Sequence, residues 1–566
     1  VKDTMTTPEA RTGAEALVAA LQALGVTTIY GVPGEETTEL MEAISASSLE
    51  FELCRHEQAA AYMASVHGRM TGRPAVCLST LGPGATNLVT GVADANLDHV
   101  PLIALTGQGA RGRIGRDAHQ MIDLEALFRP VTKLSRTILT ADAVPGSVAE
   151  AWRQAVSGRP GAVHLCLPED VAAAPTDRPP VPVPAPQATC PSPEALDAAA
   201  DRIRAAERPL ILAGAGVLRG RAADALRAFA ETTRVPVVTT FMAKGILPAE
   251  HPQTLFTIGQ PGGDYIDLAL GAADLIIAMG VDPVELSAAD FTRDGRIPVV
   301  AIGPEVIPAD AGWRLSEQVC GDIGMATEGL QQCIAPFCWA DVPTFTATRD
   351  AMRRTLRRER SEAPQGPVAP QDICRVISDN LRPGDTVLSG VGLHKLWIAR
   401  HVSPRRPGQL IVPNGLAGMG LALPGAIAAA RLNTEGRVLA ICGDGDLMMN
   451  LQEMETAARL GLSLTVMVWD DGALRLIEEH GGADSPDFRF GNPGWDALAR
   501  AFGWVHARAG GLEDLPSVLR DAQDAAVPVL ISIAVDHAAG GGLPGTKSGT
   551  PQEPEAGPDV YTSDGK

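Results

Sequence analysis

Residues 441–472 read ICGDGDLMMNLQEMETAARLGLSLTVMVWDDG. The apolar run Val438 to Cys442 predicts a buried strand, the spacing of Met448, Leu451, Met454 and Ala458 a helix, and Leu464 to Trp469 a second strand. A strand-helix-strand unit of this length returns the chain to the same edge of a parallel sheet. Asp444 and Asp471 therefore belong at carboxyl ends of strands, where open α/β sheets bind ligands. Gly443 and Gly445 let backbone approach a bulky anion. Paired carboxylates beside such a turn are hard oxygen donors of the kind that hold Mg2+ together with phosphate groups. The competing reading makes the segment a simple turn with Asp446 capping the helix that follows.

Working outward, the 566 residues exceed a single core and divide into about three domains. Strand-like runs fall in three groups. Ile29 to Val32, Ala75 to Ser79, Pro101 to Thr106 and Ala162 to Leu167 form the first. Leu210 to Ala213, Val235 to Thr240, Leu275 to Met279 and Val299 to Ile302 form the second, and the third runs from Val387 to Val535. Helical stretches alternate with them, which predicts an α/β fold of three domains, each with a central, mainly parallel sheet flanked by helices. Thr12 and Glu15 make a capping box for a helix with the stripe Leu17, Val18, Leu21 and Leu24, ended by Gly25. The expected boundaries are a flexible start at 1–11, domains at 12–175, 194–340 and 369–537, a proline-rich linker at 176–193, a charged linker at 341–368 and a mobile tail at 538–566.

The net charge of −20 argues against nucleic acid or an anionic membrane surface as partner. No apolar run is long enough to read as a membrane span, and nothing in the first ten residues reads as a signal peptide. Nine cysteines without a CxxC pair suggest neither a disulfide framework nor a zinc site, so a reducing cytoplasm is the expected location.

Further stretches carry a resemblance: RHEQAAAYMA at 55–64, TLGPGATNLVTG at 80–91, VPLIALTGQ at 100–108, RPVTK at 129–133, FMAKGILPAEHP at 241–252 and NGLAGMGLALPGAIAAA at 414–430. With the Gly-Asp-Gly turn they make the chain similar to the acetolactate synthase-like family of thiamine diphosphate enzymes, from about Thr12 to Val535. The resemblance implies two cofactor-binding domains around a nucleotide-binding-like middle domain. It also implies thiamine diphosphate and Mg2+ as cofactors, the metal being held by Asp444, Asp471 and the backbone carbonyl of Ala473. Glu57 matches the glutamate that activates the cofactor's aminopyrimidine ring, with Pro83 and Asn87 packed nearby. Gly392, Leu393, His394, Gly443, Gly445 and Asp446 are expected along the diphosphate, and Gly418 and Met419 where a bulky residue props the cofactor into its bent shape.

On the substrate side the resemblance places His119 and Gln120 near the reacting carbon and Lys133 at the entrance. Glu35 and Glu36 replace a small Gly-Ala pair, and His480 replaces a tryptophan. Asp282 stands where acetolactate synthases carry an arginine, and Ala473, Leu474 and Arg475 depart from the family's Gly-Tyr-Gly or similar patch. Gly214, Ala215 and Gly216 could cradle a dinucleotide, but so short a turn makes FAD a weak expectation. The implied reaction is decarboxylation of a 2-oxo acid with transfer of the acyl carbanion to an acceptor carbonyl. A carboxyethylarginine synthase-like lyase or carboligase, or a catalytically silent cofactor-binding paralogue, is the alternative. The family pattern further implies a homodimer or homotetramer whose active site is shared between subunits.

Overall fold

The structure, a computed structural model, is described for residues 11–259, 264–293, 295–308, 311–357, 365–481, 486–539 and 543. In the first domain β1 (Arg11–Thr12) pairs antiparallel with β8 (Pro175–Thr176). Between them lie β2 (Thr28–Val32), β3 (Glu50–Leu53), β4 (Ala75–Ser79), β5 (Leu102–Gln108), β6 (Leu134–Thr137) and β7 (Ala162–Pro168). The middle domain holds β9 (Pro209–Ala213), β10 (Val237–Thr239), β11 (Thr254–Thr257), β12 (Leu275–Met279), β13 (Val299–Gly303) and β14 (Leu315–Cys320). The third holds β15 (Thr386–Ser389), β16 (Leu410–Ile411), β17 (Val438–Gly443), β18 (Thr465–Asp470), β19 (Val505–Ala509) and β20 (Val529–Ala534). Thr12 and Glu15 form the capping box read from sequence, at the head of the helix Gly13–Ala23.

Each domain is built on a six-stranded sheet, and within each sheet the paired strands run parallel. The first and third sheets share one topology, β3-β2-β4-β5-β7-β6 and β16-β15-β17-β18-β20-β19. The middle sheet differs: β11-β10-β9-β12-β13-β14 is the doubly wound order associated with dinucleotide folds.

The first and third domains share a core. Tyr62, Met63 and Val66 of the helix Glu57–Thr71 are buried in one cluster with Ala422, Ala426 and Ala429 of the helix Ala422–Leu432 and with Leu447 and Met454. Burying one large apolar side chain is worth about 1.5–3 kcal/mol, so this seam is a principal source of interdomain stability. Polar ties reinforce it: Asp98 accepts the Gly415 N–H at 2.6 Å, and Glu453 accepts the Arg55 N–H at 3.0 Å.

Three segments depart from the sequence reading. The expected linker at 341–368 contains a helix, Pro343–Leu356, which seats Phe345 and Met352 in the middle domain's core; its apolar stripe is masked in sequence by three arginines, Arg349, Arg353 and Arg354. At the expected tail, Gln371 donates to the Ala539 carbonyl at 3.2 Å and Leu543 is buried in the third domain's core, so the chain stays attached beyond residue 538. The single helix read from Met448 to Ala458 is two, Asp444–Met448 and Glu453–Arg459, with a turn between them. The expected flexible residues 1–10 and the tail after Leu543 lie outside the described residues.

Candidate active site

At the carboxyl edge of the third sheet, glycines clear a floor around His394. Gly392 N-caps the helix Leu393–His401 at φ +154°, and a Cβ there would lie 3.0 Å from the imidazole. A Cβ on Gly443 would meet the same ring at 3.0 Å, and one on Gly390 would overlap Asp446. Burial lowers His394 to about 3, so the ring is neutral, and its Nε2 accepts the Gly443 N–H at 3.3 Å.

Asp444 is 1% exposed and is anchored from several sides. One oxygen accepts the Gly445 N–H at 2.7 Å; the other accepts from Asp471 N at 3.1 Å, Gly472 N at 2.7 Å and Asn492 Nδ2 at 2.8 Å. The register of β17 beside β18 brings the Asp444 and Asp471 loops together. Burial raises the Asp444 pKa, and the charge of Asp471 raises it further. Asp471 is pulled the other way: burial works against its ionisation, yet His537 and Arg475 outweigh it and hold its carboxyl below the usual range. Two mutually repelling carboxylates, with the Ala473 backbone beside them, fit a hard dication that would relieve the repulsion. Among the described residues no cluster of three or more His, Cys, Asp or Glu side chains is placed to hold a metal alone. A backbone carbonyl and phosphate oxygens would have to complete such a shell.

Asp446 does not cap the helix, whose N-cap is Gly443. It is buried, and its Oδ1 accepts the Val391 N–H at 3.0 Å and the Gly420 N–H at 2.8 Å, which ties the turns bearing Gly392 and Met419 to the Gly-Asp-Gly turn. Its Oδ2 is buried without a hydrogen-bond partner, and burial pushes the carboxyl up to about 6. Tyr62 of the first domain donates to the Met419 carbonyl at 3.3 Å and leaves no room for a Cβ at Gly418.

On the first domain's carboxyl edge, Glu57 opens its helix after the N-cap His56. Asn87 Nδ2 donates to its Oε2 at 2.9 Å, and a Cβ at Gly84 would come within 3.2 Å of Oε1. Pro83 is exposed at the head of the helix Pro83–Leu97. Gln120 lies over Gly82, where a Cβ would meet its carbonyl at 2.7 Å, while the His119 and Gln120 side chains are exposed. Glu36 accepts from Thr80 at 2.8 Å; Glu35 is exposed in the one-turn helix Glu35–Thr37.

Lys133 stands apart. It precedes β6 at the amino edge of the sheet, opposite Glu57, and its Nζ is spent on the carbonyls of Ser157 at 2.6 Å and Arg159 at 2.7 Å. The sequence match carried no information on which edge the lysine would occupy. His480 lies in the helix Arg475–Gly481, but its side chain falls outside the described residues. Sequence reasoning also missed Asn492, His537 and Glu453, which reach the site through tertiary contacts and carry no local motif.

The Gly-Ala-Gly turn of the middle domain does not fit a dinucleotide phosphate. The Ala215 N–H of the Gly-Ala-Gly turn donates to the buried Glu285 carboxylate at 3.0 Å, and Thr240 donates to the same oxygen at 2.6 Å. Gly214 and Gly216 are explained by packing, since a Cβ would lie 2.4 Å and 2.7 Å from the Gly280 turn. Asp282 faces the cavity of about 680 Å³ beside this turn and pairs with His99 at 2.8 Å and Arg159 at 3.1 Å. The N–H groups of the turn are already taken, Ala215 by Glu285 and Gly214 and Gly216 by the carbonyls of Met279 and Gly280.

A carboxylate-bearing turn on one sheet and a glutamate-bearing helix on a sheet of identical order, joined through one core, define a thiamine diphosphate-binding α/β enzyme. Family models agree: the N-terminal thiamine pyrophosphate-binding domain matches residues 11–127, the central domain 196–330 and the C-terminal thiamine pyrophosphate-binding domain 390–533. The acetolactate synthase of Mycobacterium leprae is 33% identical over 91% of this chain and 85% of its own length. The large subunit of Escherichia coli acetolactate synthase isozyme 2 is 32% identical over 93% and 96%, and the Bacillus subtilis acetolactate synthase 30% identical over 93% of each. The chain belongs to the acetolactate synthase-like family of thiamine pyrophosphate enzymes. Among the described residues no helix is long and apolar enough to cross a membrane.

Proposed function

We propose that this enzyme, with Mg2+ and thiamine diphosphate, decarboxylates a 2-oxo acid and transfers the acyl carbanion to an acceptor carbonyl, as the acetolactate synthase names of its relatives suggest. The observation that carries this reading is the retention of both half-sites: Glu57 held by Asn87, and Asp444 beside Asp471. Thiamine diphosphate, when bound, supplies a nucleophilic carbon and an electron sink for the departing carboxylate.

The chain's own residues do the rest. Asp444, Asp471 and the Ala473 carbonyl would hold the metal; Gly392, Leu393, His394, Gly443 and Gly445 would line the diphosphate; Gly418 and Met419 would support the cofactor between its two ends. Asn87 engages Oε2 of Glu57 and leaves Oε1, facing the cleared space at Gly84, to hold and move a proton. His119 and Gln120 supply polar groups toward the reacting carbon, and Glu36, oriented by Thr80, makes the substrate side more acidic than a Gly-Ala pair would. A second copy of the chain completes the site, a reading supported by the exposed apolar side chains Leu416, Met448, Met449 and Phe490 in the third domain and Ile114 and Ile122 in the first.

A panel of 2-oxo acids given to the holoenzyme, with CO2 release and products followed by mass spectrometry, tests the reading. A carboligation product from at least one donor is expected; no CO2 from any member of the panel overturns it.

A further inference from the structure

The second metal-ligand position holds a carboxylate, Asp471, and its two oxygens are treated differently. Oδ1 accepts the Ala473 N–H at 3.2 Å, within the loop whose carbonyl is the third proposed ligand. Oδ2 is held by His537 Nε2 at 3.1 Å and by Arg475 Nε at 3.2 Å. The histidine is oriented in turn: Trp397 Nε1–H donates to His537 Nδ1 at 3.1 Å, which fixes the proton on Nε2, facing Asp471. Asp471 and His537 are each 8% exposed, so their contact is not a solvated surface pair; the Arg475 side chain is 25% exposed and shares its guanidinium with Glu478 through Nη1 while Nε faces Asp471.

The electrostatics give this arrangement a purpose. Asp444, Asp471 and a diphosphate together carry more negative charge than one dication neutralises. In a buried site the surplus repels the cofactor. An asparagine in place of Asp471 would offer one coordinating oxygen and remove one unit of that surplus. Here the surplus is placed on Oδ2 and met by a guanidinium from the first residue of the helix Arg475–Gly481 and by an imidazole N–H from the segment after β20. The register of β18 beside β20, which pairs Asp470 with Ala534, brings that segment to the loop.

Resting on the Mg2+ clamp of the proposed function, we propose that Arg475 and His537 are positioning residues for the cofactor: they engage Oδ2 of Asp471, offset its charge, and leave Oδ1 to the metal. Neither touches the reacting atoms. Their effect is on the affinity for the Mg2+–diphosphate pair and depends on Asp471 being a carboxylate.

Calorimetry with Mg2+ and thiamine diphosphate on the full-length chain separates the possibilities. Wild-type binding tests the clamp itself; its absence sinks the proposed function, whatever the variants do. Given wild-type binding, Arg475→Ala weakens the cofactor about ten- to hundredfold, Arg475→Lys recovers part of the loss, and His537→Gln, which keeps an N–H at the ε position, stays nearer wild type than His537→Ala. The deciding comparison is Asp471→Asn with and without Arg475→Ala, where the second change costs less than about threefold because residue 471 then carries no charge for the guanidinium to meet. Equal losses in both backgrounds, or wild-type affinity in Arg475→Ala, overturn the proposal. Melting of the apo proteins shows whether a variant is folded; if Arg475→Ala is not, the same comparison made with Arg475→Lys and His537→Gln decides.

Discussion

The middle and third domains present the same kind of edge, the carboxyl ends of parallel strands followed by glycine-bearing turns, and use it in opposite ways. In the third domain glycines clear space around a neutral histidine, and Asp444 is held by neighbouring N–H groups beside a second carboxylate. In the middle domain the turn's glycines are filled by the Gly280 turn and its N–H is satisfied by Glu285. The two edges differ in what their turns gather: two carboxylates and an imidazole in the third domain, a packed backbone turn and one capping carboxylate in the middle domain. Strand order alone would have chosen the wrong domain, because the dinucleotide-type order belongs to the middle sheet.

That contrast breaks most sharply at Asp444. Asp444→Ala should abolish calorimetric binding of Mg2+ and thiamine diphosphate, a loss beyond about hundredfold, because it removes both a ligand and the anchor of the Asp471 loop. Unchanged binding would remove the third domain's claim to the site. Next comes Glu57→Gln, expected to slow exchange of the cofactor's C2 proton by about 10²–10⁴ while leaving affinity nearly intact, since its carboxylate handles a proton and not the phosphate. A wild-type exchange rate would end that role.

Glu285→Ala sharpens the other side of the comparison. It should lower apo stability by about 1–3 kcal/mol, because the Ala215 N–H and the Thr240 hydroxyl lose a buried acceptor, with cofactor affinity within about twofold of wild type. A large loss of cofactor affinity would show that the two edges are coupled. The smallest effect is expected at Glu453, whose carboxyl burial pushes up from 4.5 to about 7. The folded state therefore holds that proton more tightly than the unfolded chain does. The group's contribution to stability falls as pH rises from about 4.5 to about 7 and is lowest above it. Glu453→Gln does not titrate, so its melting temperature relative to wild type should rise between pH 5 and pH 8; a flat difference would contradict the shift.

Much of this was legible because it is local. The Gly-Asp-Gly turn, the strand on either side of its helix and the Thr12–Glu15 cap are each written within a few residues. What failed to show depends on register and packing. His537 lies far in sequence from Asp471 and arrives through strand pairing; Asn492 and Glu453 sit in unremarkable surroundings and act across loops or domains. The helix Pro343–Leu356 hid because its apolar positions are interleaved with arginines, and Lys133 was misplaced because a motif does not state which edge of a sheet it ends on.

The core that runs unbroken from the helix Glu57–Thr71 into the helix Ala422–Leu432 bears on how the molecule comes apart. Two domains widely separated along the chain share one packed core through that seam, while the middle domain has core clusters of its own and joins the third mainly through Phe241 and the buried Arg400–Asp264 pair. Heat should therefore divide the protein along packing boundaries rather than along the order of its sequence. Glu57 and the Gly-Asp-Gly turn, carried on the same core, would be lost together.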